Sequence, residues 1–140
     1  MNLTAMITDN VNEILAKIIE FTQIRQKILI KNIINVRNFG FIPLELEVNE
    51  FSSLLNYAIE EHVRNERLVL QDTENIKFGL SGSFEAKPIV DEHSKKLLEE
   101  DQREYFDLQI QKLVENMFNQ RVAAELLKNK QESIPVSETY

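Results

Sequence analysis

The chain has no cysteine and no tryptophan, and only three glycines and three prolines among its 140 residues. Without cysteine, a disulfide framework and a thiolate metal site are both excluded. The scarcity of glycine and proline favours long helices, because these two residues are the usual interruptions of a helix. The hydrophobic content (43%) and the charged content (28%) are ordinary for a folded protein. The length fits one domain, with or without extended arms.

Long apolar runs are also missing. No segment approaches the roughly 20 apolar residues that cross a bilayer, so we expect a protein that does not span a membrane. Residues 1–10 contain no basic residue and no continuous apolar segment. We therefore expect no cleaved signal peptide.

Basic residues are fewer than acidic residues, 16 against 23. The net charge is −7, and it divides into +2 over residues 1–38 (five basic, three acidic), −5 over 39–90 (four and nine) and −4 over 91–140 (seven and eleven). A nucleic-acid-binding protein needs a basic stripe to replace counterions on phosphates. We therefore expect no nucleic-acid partner.

The pattern at the C-terminal end predicts one long helix over residues 91–130. Its main apolar row alternates spacings of four and three residues, which is typical of a helix that packs in a narrow seam against another long helix. This row is Phe106, Ile110, Leu113, Met117, Gln120, Ala124 and Leu127, and a shorter row beside it is Val114, Phe118 and Val122. Two adjacent rows indicate more than one neighbour.

A second long helix is predicted over residues 9–38, capped by Thr8 or Asp9. Its apolar residues cover much more than a single stripe. It is therefore either a fully buried central helix or a helix that docks on several other chains. Residues 1–8 are predicted to be mobile. Residues 131–140 are predicted to be a disordered tail, because Pro135 disfavours a helix there.

Between the helices, residues 39–90 form a small middle region. Asn35 to Phe41 is a helix stop signal, since Asn and Gly tolerate left-handed backbone. Leu44, Leu46 and Val48 alternate with glutamates, which predicts a half-exposed strand, and a short helix is expected near residues 50–65. The predicted fold is mainly α. Two long terminal helices pair as an antiparallel coiled-coil-like hairpin, and the middle region has short extended segments and one short helix.

The sequence shows no convergent chemical site. His62 and His93 are the only histidines, and both lie among charged residues, which predicts solvent-exposed helix positions. Ser81-Gly82-Ser83 lacks the spacing of a phosphate loop or a nucleophile elbow. We expect no catalytic residues, no metal, no cofactor and no enzymatic activity. Phe51, Phe78 and Phe84 are predicted to form the core of the middle region.

The segment from Arg25 to Phe41 resembles the N-terminal motif of bacterial flagellar rod, hook and hook-filament axial proteins. Asn32, Ile33, Asn35, Gly40 and Phe41 match that motif, whereas Asn38 and Phe39 stand where the family usually has Thr and Pro. Residues 113–128 resemble the family's final helix. The short length, without a large inserted domain, is similar to that of proximal rod members.

The resemblance implies a structural subunit of the flagellar basal-body proximal rod, exported by the flagellar type III apparatus and located in the periplasmic rod. Its implied partners are other copies of itself, other rod proteins and the rod-base and export-gate components. The residues expected at subunit interfaces are Ile18, Ile28, Asn32, Ile33, Asn35, Gly40, Phe41, Phe106, Ile110, Leu113, Val114, Met117, Phe118, Ala124 and Leu127.

A different class of protein is also consistent with the charge. A small acidic cytoplasmic adaptor or export chaperone binds an apolar helix of its partner. Such a protein would gather its apolar residues in a single groove, whereas this chain has apolar rows at both ends.

Overall fold

The computed structural model describes the backbone of residues 3–79 and 82–138, and the side chains within residues 9–79 and 82–129. The described part of the chain is mainly helical. Its helices are α1 (Leu3–Ile34), α2 (Val48–Asn65), α3 (Glu92–Glu100) and α4 (Gln102–Glu138). Its strands are β1 (Leu44–Glu45), β2 (Ile76–Lys77), β3 (Glu85–Ala86) and β4 (Ile89–Val90).

The two longest helices, α1 and α4, pack together as the sequence predicts. Near the end of α1, the side chain of Asn32 donates to Gln109 Oε1 (3.0 Å). Further back along α1, the carbonyl of Thr22 accepts from Asn116 Nδ2 (2.8 Å). The two helices therefore remain in contact over at least three turns.

The prediction of a single helix over residues 91–130 is wrong, because the helix is interrupted at Asp101. This residue has extended backbone (φ −154°, ψ 95°) between α3 and α4. Its carboxylate accepts from the backbone N–H of Glu104 (3.1 Å), which caps the first turn of α4. Asp101 followed three residues later by Glu104 is a capping-box pattern, and the apolar periodicity of the sequence hides it.

The predicted limits of the terminal helices are also wrong. α1 already includes residues 3–8, which were expected to be mobile, and α4 includes residues 131–138, which were expected to be a disordered tail. Pro135 lies inside α4. A proline removes one backbone hydrogen bond but does not by itself end a helix. Residues 1–2 and 139–140 lie outside the described residues.

An aromatic core holds the middle region onto one side of α1. Phe21 of α1 stacks on Phe51 of α2, with ring centroids 3.9 Å apart and planes 3° apart. Phe78 and Phe84 meet Phe51 and one another at centroid distances of 5.7–6.2 Å. Leu46 and Ile76 complete the buried cluster. The predicted core of Phe51, Phe78 and Phe84 is confirmed.

The turn between α1 and β1 is built as its sequence predicts. Gly40 has a φ of +82°, a backbone conformation that favours glycine. β1 pairs antiparallel with β4, and Leu44 lies opposite Val90. The expectation that Glu45 faces solvent is wrong, because its side chain is only 14% exposed and forms ion pairs.

Candidate docking surfaces on the long helices

The face of α4 that packs on α1 is polar. Tyr105, Gln109 and Asn116 are at most 1% exposed, and Ala123 is 2% exposed. These positions follow one another at spacings of four and seven residues, so they lie on one side of the helix. The predicted apolar seam starts one residue later, at Phe106. One residue rotates a helix by about 100°, so Phe106 and Ile110 lie on a different side of α4 from the polar row. Leu113, Gln120 and Leu127 of the predicted seam lie beside the polar row and are partly buried.

Asn32 forms hydrogen bonds that connect α1, β1 and α4. Its amide exchanges hydrogen bonds with the backbone of Leu44, donating to the carbonyl (2.8 Å) and accepting from the N–H (3.2 Å). It also donates to Gln109, whose own amide donates to Ser94 Oγ (2.9 Å). The hydroxyl of Tyr105 donates to the Asn32 carbonyl (2.8 Å). The side chain of Asn32 is thus fully used inside its own chain.

Ion pairs extend the hydrogen bonds around Asn32 into a larger polar network. Arg25 makes a bidentate contact with Glu45, with both N–O distances at 3.0 Å. Lys112 lies between Glu45 (3.4 Å) and Asp91 (2.9 Å). Burial alone raises the pKa of Asp91, but hydrogen bonds from Ser94 and Lys112 outweigh it, so the net pKa lies below its ordinary value of 3.8.

Tyr105 lies in a part of the interface between α1 and α4 that excludes solvent. Its side chain is 0% exposed. Burial, together with the negative charge of Asp91, raises the pKa of Tyr105 from 10.0 to about 12. The hydroxyl therefore stays protonated and remains a donor to the Asn32 carbonyl across the physiological range.

The apolar residues of α4 lie mostly on its outside. Among the large ones, Val114 is 62% exposed, Met117 49% and Phe118 65%. Phe106 and Ile110 are 39% and 36% exposed. The sequence predicts that the main row packs against another long helix. In the structure Phe106, Ile110 and Met117 of this row are exposed, whereas Leu113, Gln120 and Leu127 are partly buried.

One group of these residues combines with α1 into a continuous surface, which we call the α1–α4 face. Gln26 of α1 lines a groove of about 500 Å³ together with Met117 and Ala124 of α4. Ile30 and Ile34 follow Gln26 at intervals of four residues, so they extend the same side of α1. The large exposed members of the α1–α4 face are Ile30, Ile34, Phe106, Ile110 and Met117.

A second apolar surface lies between α2 and α4, and we call it the α2–α4 cleft. It has a volume of about 300 Å³, and α1 forms its floor. Its lining includes Leu15, Ile18, Phe51, Leu55, Val122 and Leu126. Val122 and Leu126 on α4 remain 39% and 46% exposed, so nothing within the described residues fills the cleft.

The residues predicted at subunit interfaces fall into distinct groups. Ile18 and Ile28 pack against the aromatic core, and Asn32 is buried. Ile18 and Ile28 are only partly buried, and Ile18 also lines the α2–α4 cleft. The assignment of these three residues to contacts with other subunits stays a prediction. Ile33, Asn35, Phe41, Leu113 and Leu127 are partly buried. Gly40, Phe106, Ile110, Val114, Met117, Phe118 and Ala124 are exposed.

The polar network was missed by sequence reasoning. Its members are Arg25, Asn32, Glu45, Asp91, Ser94, Tyr105, Gln109 and Lys112. They come from α1, β1, α3 with its N-cap Asp91, and α4, and no local pattern links them. The one available signal was the row of Gln109 and Asn116, which are polar residues seven positions apart on a helix that is otherwise periodic in apolar residues.

The histidines do not form a site with other side chains of the described residues. His62 is partly buried, and its Nδ1 lies 3.4 Å from Asn10 Nδ2, so its predicted full exposure is wrong. His93 is exposed. Within residues 9–79 and 82–129, no cluster of three or more metal-ligating side chains occurs. No helix in the described part of the chain is long and apolar enough to cross a membrane.

Comparisons of this chain with protein-family models, with curated proteins and with solved structures find no match. We therefore infer the function from the geometry of the two long helices.

Proposed function

We propose that the chain is a structural subunit of the bacterial flagellar proximal rod, as in flagellar basal-body rod protein B. In this proposal the protein is exported by the flagellar type III apparatus and joins the periplasmic rod through its two long helices. Other copies and other rod proteins cover its apolar surfaces. The resemblance of residues 25–41 and 113–128 to axial proteins supports this assignment.

The observation that carries the proposal is the way α4 distributes its side chains. It turns Gln109 and Asn116 toward α1 and leaves Phe118, Val114 and Met117 at least 49% exposed. A helix of an isolated globular domain normally does the opposite, since burying apolar area contributes about 25 cal/mol per Å². Exposed apolar area of this extent marks a surface that other chains cover.

We also propose that α1 and α4 form an antiparallel coiled-coil-like hairpin. The order of their contacts supports this arrangement, because the later residue of α1 (Asn32) meets the earlier residue of α4 (Gln109), and Thr22 meets Asn116. A hairpin of this kind presents one rigid side for docking.

The substitution Met117→Asp tests the rod proposal. Met117 is 49% exposed, so the monomer should lose less than about 1 kcal/mol of unfolding free energy. Within an assembled interface, the same aspartate would be buried without a partner, at a cost of several kcal/mol. We expect cells carrying Met117→Asp to export the protein but to stop building at the rod, which immunoblots of secreted protein and motility assays would show.

Gln111→Asp is the matched control, since Gln111 is exposed on the same helix and introduces the same charge. It should leave motility unchanged. Normal motility with Met117→Asp, or equal defects in both variants, would contradict the rod proposal.

The α2–α4 cleft favours a second candidate, an acidic adaptor or export chaperone that holds a partner helix. An apolar cleft open on one side is the geometry used for helix-in-groove recognition. This candidate predicts one stoichiometric cytosolic partner in pull-downs and no protein in envelope fractions. The rod proposal predicts the reverse distribution.

A further inference from the structure

We propose that two copies of the chain exchange α4, so that α4 of each copy packs on α1 of the other. The hinge of this exchange is Asp101, which lies between the end of α3 at Glu100 and the start of α4 at Gln102. A short connection of this kind favours exchange, because two helices that fold back on each other can instead join end to end. The exchange does not depend on the rod assignment, since it uses only contacts that the chain makes with itself.

The aromatic core is complete without α4. In the described part of the chain, every residue that forms this core or packs against it belongs to α1 or to residues 46–86. The contacts that place α4 include hydrogen bonds and ion pairs to α1, β1 and the N-terminal end of α3. They join Tyr105 and Gln109 to Asn32, Gln109 to Ser94, Lys112 to Glu45 and Asp91, and Asn116 to Thr22. The helix α4 can therefore leave as a unit while the rest of the chain keeps its core.

The backbone around Asp101 is close to that of one continuous helix. The Asp101 N–H donates to the Leu97 carbonyl (2.7 Å), and the Tyr105 N–H donates to the Asp101 carbonyl (3.0 Å), as in a helix. A continuous helix adds bonds from the N–H groups of residues 102–104 to the carbonyls of residues 98–100. In the bent form the Asp101 carboxylate accepts from one of these N–H groups. Straightening exchanges this cap for the bonds of a continuous helix, and the sequence has no glycine or proline in α3 or in the first turn of α4 to oppose it.

A straight α3–α4 helix cannot make the contacts of α4 within its own copy. At 1.5 Å per residue, Ser94 and Gln109 would lie about 22 Å apart along such a helix. In the bent form their side chains are hydrogen-bonded, with Gln109 Nε2 donating to Ser94 Oγ (2.9 Å). Straightening therefore uncovers the side of α1 that α4 covers in the bent form. A second copy in the same straight form supplies its α4 to that side and receives α4 in return.

The polar contacts specify α4 of an identical chain as the partner. The Asn32 carbonyl accepts from the Tyr105 hydroxyl (2.8 Å), and the Asn32 amide donates to Gln109 Oε1 (3.0 Å). The Thr22 carbonyl accepts from Asn116 Nδ2 (2.8 Å). A different helix, without these side chains at these spacings, would leave buried polar groups unpaired, which is costly. The α4 helix of a second copy re-forms each of these bonds.

Isotope-filtered nuclear Overhauser spectroscopy tests the exchange directly. Full-length chains labelled with ¹³C and ¹⁵N are mixed with unlabelled chains, unfolded together in urea and refolded at high concentration, and the dimer is isolated by gel filtration. We expect cross-peaks between copies that join Tyr105 to Asn32 and Asn116 to Thr22. A dimer in which these contacts stay within one copy would overturn the proposal, as would a chain that remains monomeric at its highest soluble concentration.

The substitution Asp101→Ala should shift the equilibrium toward the exchanged dimer. It removes the cap that supports the bend and places a strong helix former at the hinge. The association constant, measured by sedimentation equilibrium, should rise about tenfold or more. Glu100→Ala is the matched control, because Glu100 is exposed in α3 and its replacement removes the same charge. It should change the association constant by less than about threefold. Equal changes in the two variants would contradict a hinge at Asp101.

The substitution Gln102→Pro should lock the bent form. A proline suits the first residue of α4, because the preceding Asp101 is extended, as the residue before a proline prefers. In a straight helix the same ring would clash with the carbonyl of Leu98. The association constant should fall about tenfold or more, whereas Gln102→Ala, which removes the same side chain, should change it less than about threefold. Equal effects of these two variants would refute the exchange, and circular dichroism checks that each variant is folded.

Discussion

The aromatic core of the middle region and the interface between α1 and α4 are built by opposite rules. In the core, four buried phenylalanines form five stacked or edge-to-face contacts, with ring centroids 3.9–6.4 Å apart. At the helix interface, Asn32, Gln109, Asn116 and Tyr105 are at least as deeply buried but meet through hydrogen bonds. The core depends on apolar area, and the helix interface depends on directional contacts.

The two regions therefore differ in how strictly they fix the positions of the elements that they join. Apolar packing is tolerant of small shifts, whereas a hydrogen-bonded interface forms at one register only, since a displaced partner leaves buried polar groups unsatisfied. The polar interface thus sets how α1 lies on α4 and leaves most large apolar side chains of α4 exposed. Three predictions test this comparison.

The largest effect is expected in the aromatic core. Phe51→Ala removes a ring that is 4% exposed and that contacts the three other phenylalanines. The free energy of unfolding should fall by about 3–5 kcal/mol, measured by urea denaturation. Phe118→Ala, at a position 65% exposed, is the control and should cost about 0.5 kcal/mol or less. Similar losses in both would mean that the two phenylalanines do not differ in burial.

An intermediate effect is expected at the helix interface. Asn32→Ala removes the Asn32 hydrogen bonds to the backbone of Leu44 and to Gln109 Oε1, and each buried group left unsatisfied costs about 1–3 kcal/mol. Asn35→Ala is the matched control, because both hydrogen bonds of the Asn35 side chain, to the Lys31 carbonyl and from the Asn38 side chain, are exposed. Its loss should be about 0.5 kcal/mol or less. Equal losses would show that the polar interface does not restrict the helix register.

The smallest effect concerns pH. The pKa of Tyr105 is raised to about 12 in the folded chain, so the unfolded chain loses this proton first, near pH 10. The stabilisation by Tyr105 should therefore be complete below pH 10 and disappear as the pH rises toward 12. The stability difference between the wild type and Tyr105→Phe should shrink over that interval in urea titrations. A difference that stays constant to pH 12 would contradict the burial of this hydroxyl.

Several features could be predicted because they depend on nearby residues. The short helix α2, the Asn35–Phe41 turn and the pairing of two long helices all follow from local spacing and from glycine and asparagine chemistry. The Asp101 break was also local, and the capping pattern with Glu104 was available. The ion pair of Arg25 and Glu45 could not be predicted, because its partners belong to different elements whose approach depends on the whole fold.

The amino-acid sequence by itself determined that the chain forms two long helices and that α4 carries two apolar rows, since both depend on periodicity along a single helix. It did not determine which side of α4 faces α1. That choice was made by tertiary structure, because Asn32 reaches Gln109, and Asn116 reaches the Thr22 carbonyl, only when the two helices meet along their polar sides. Most large apolar side chains of these rows are consequently left exposed.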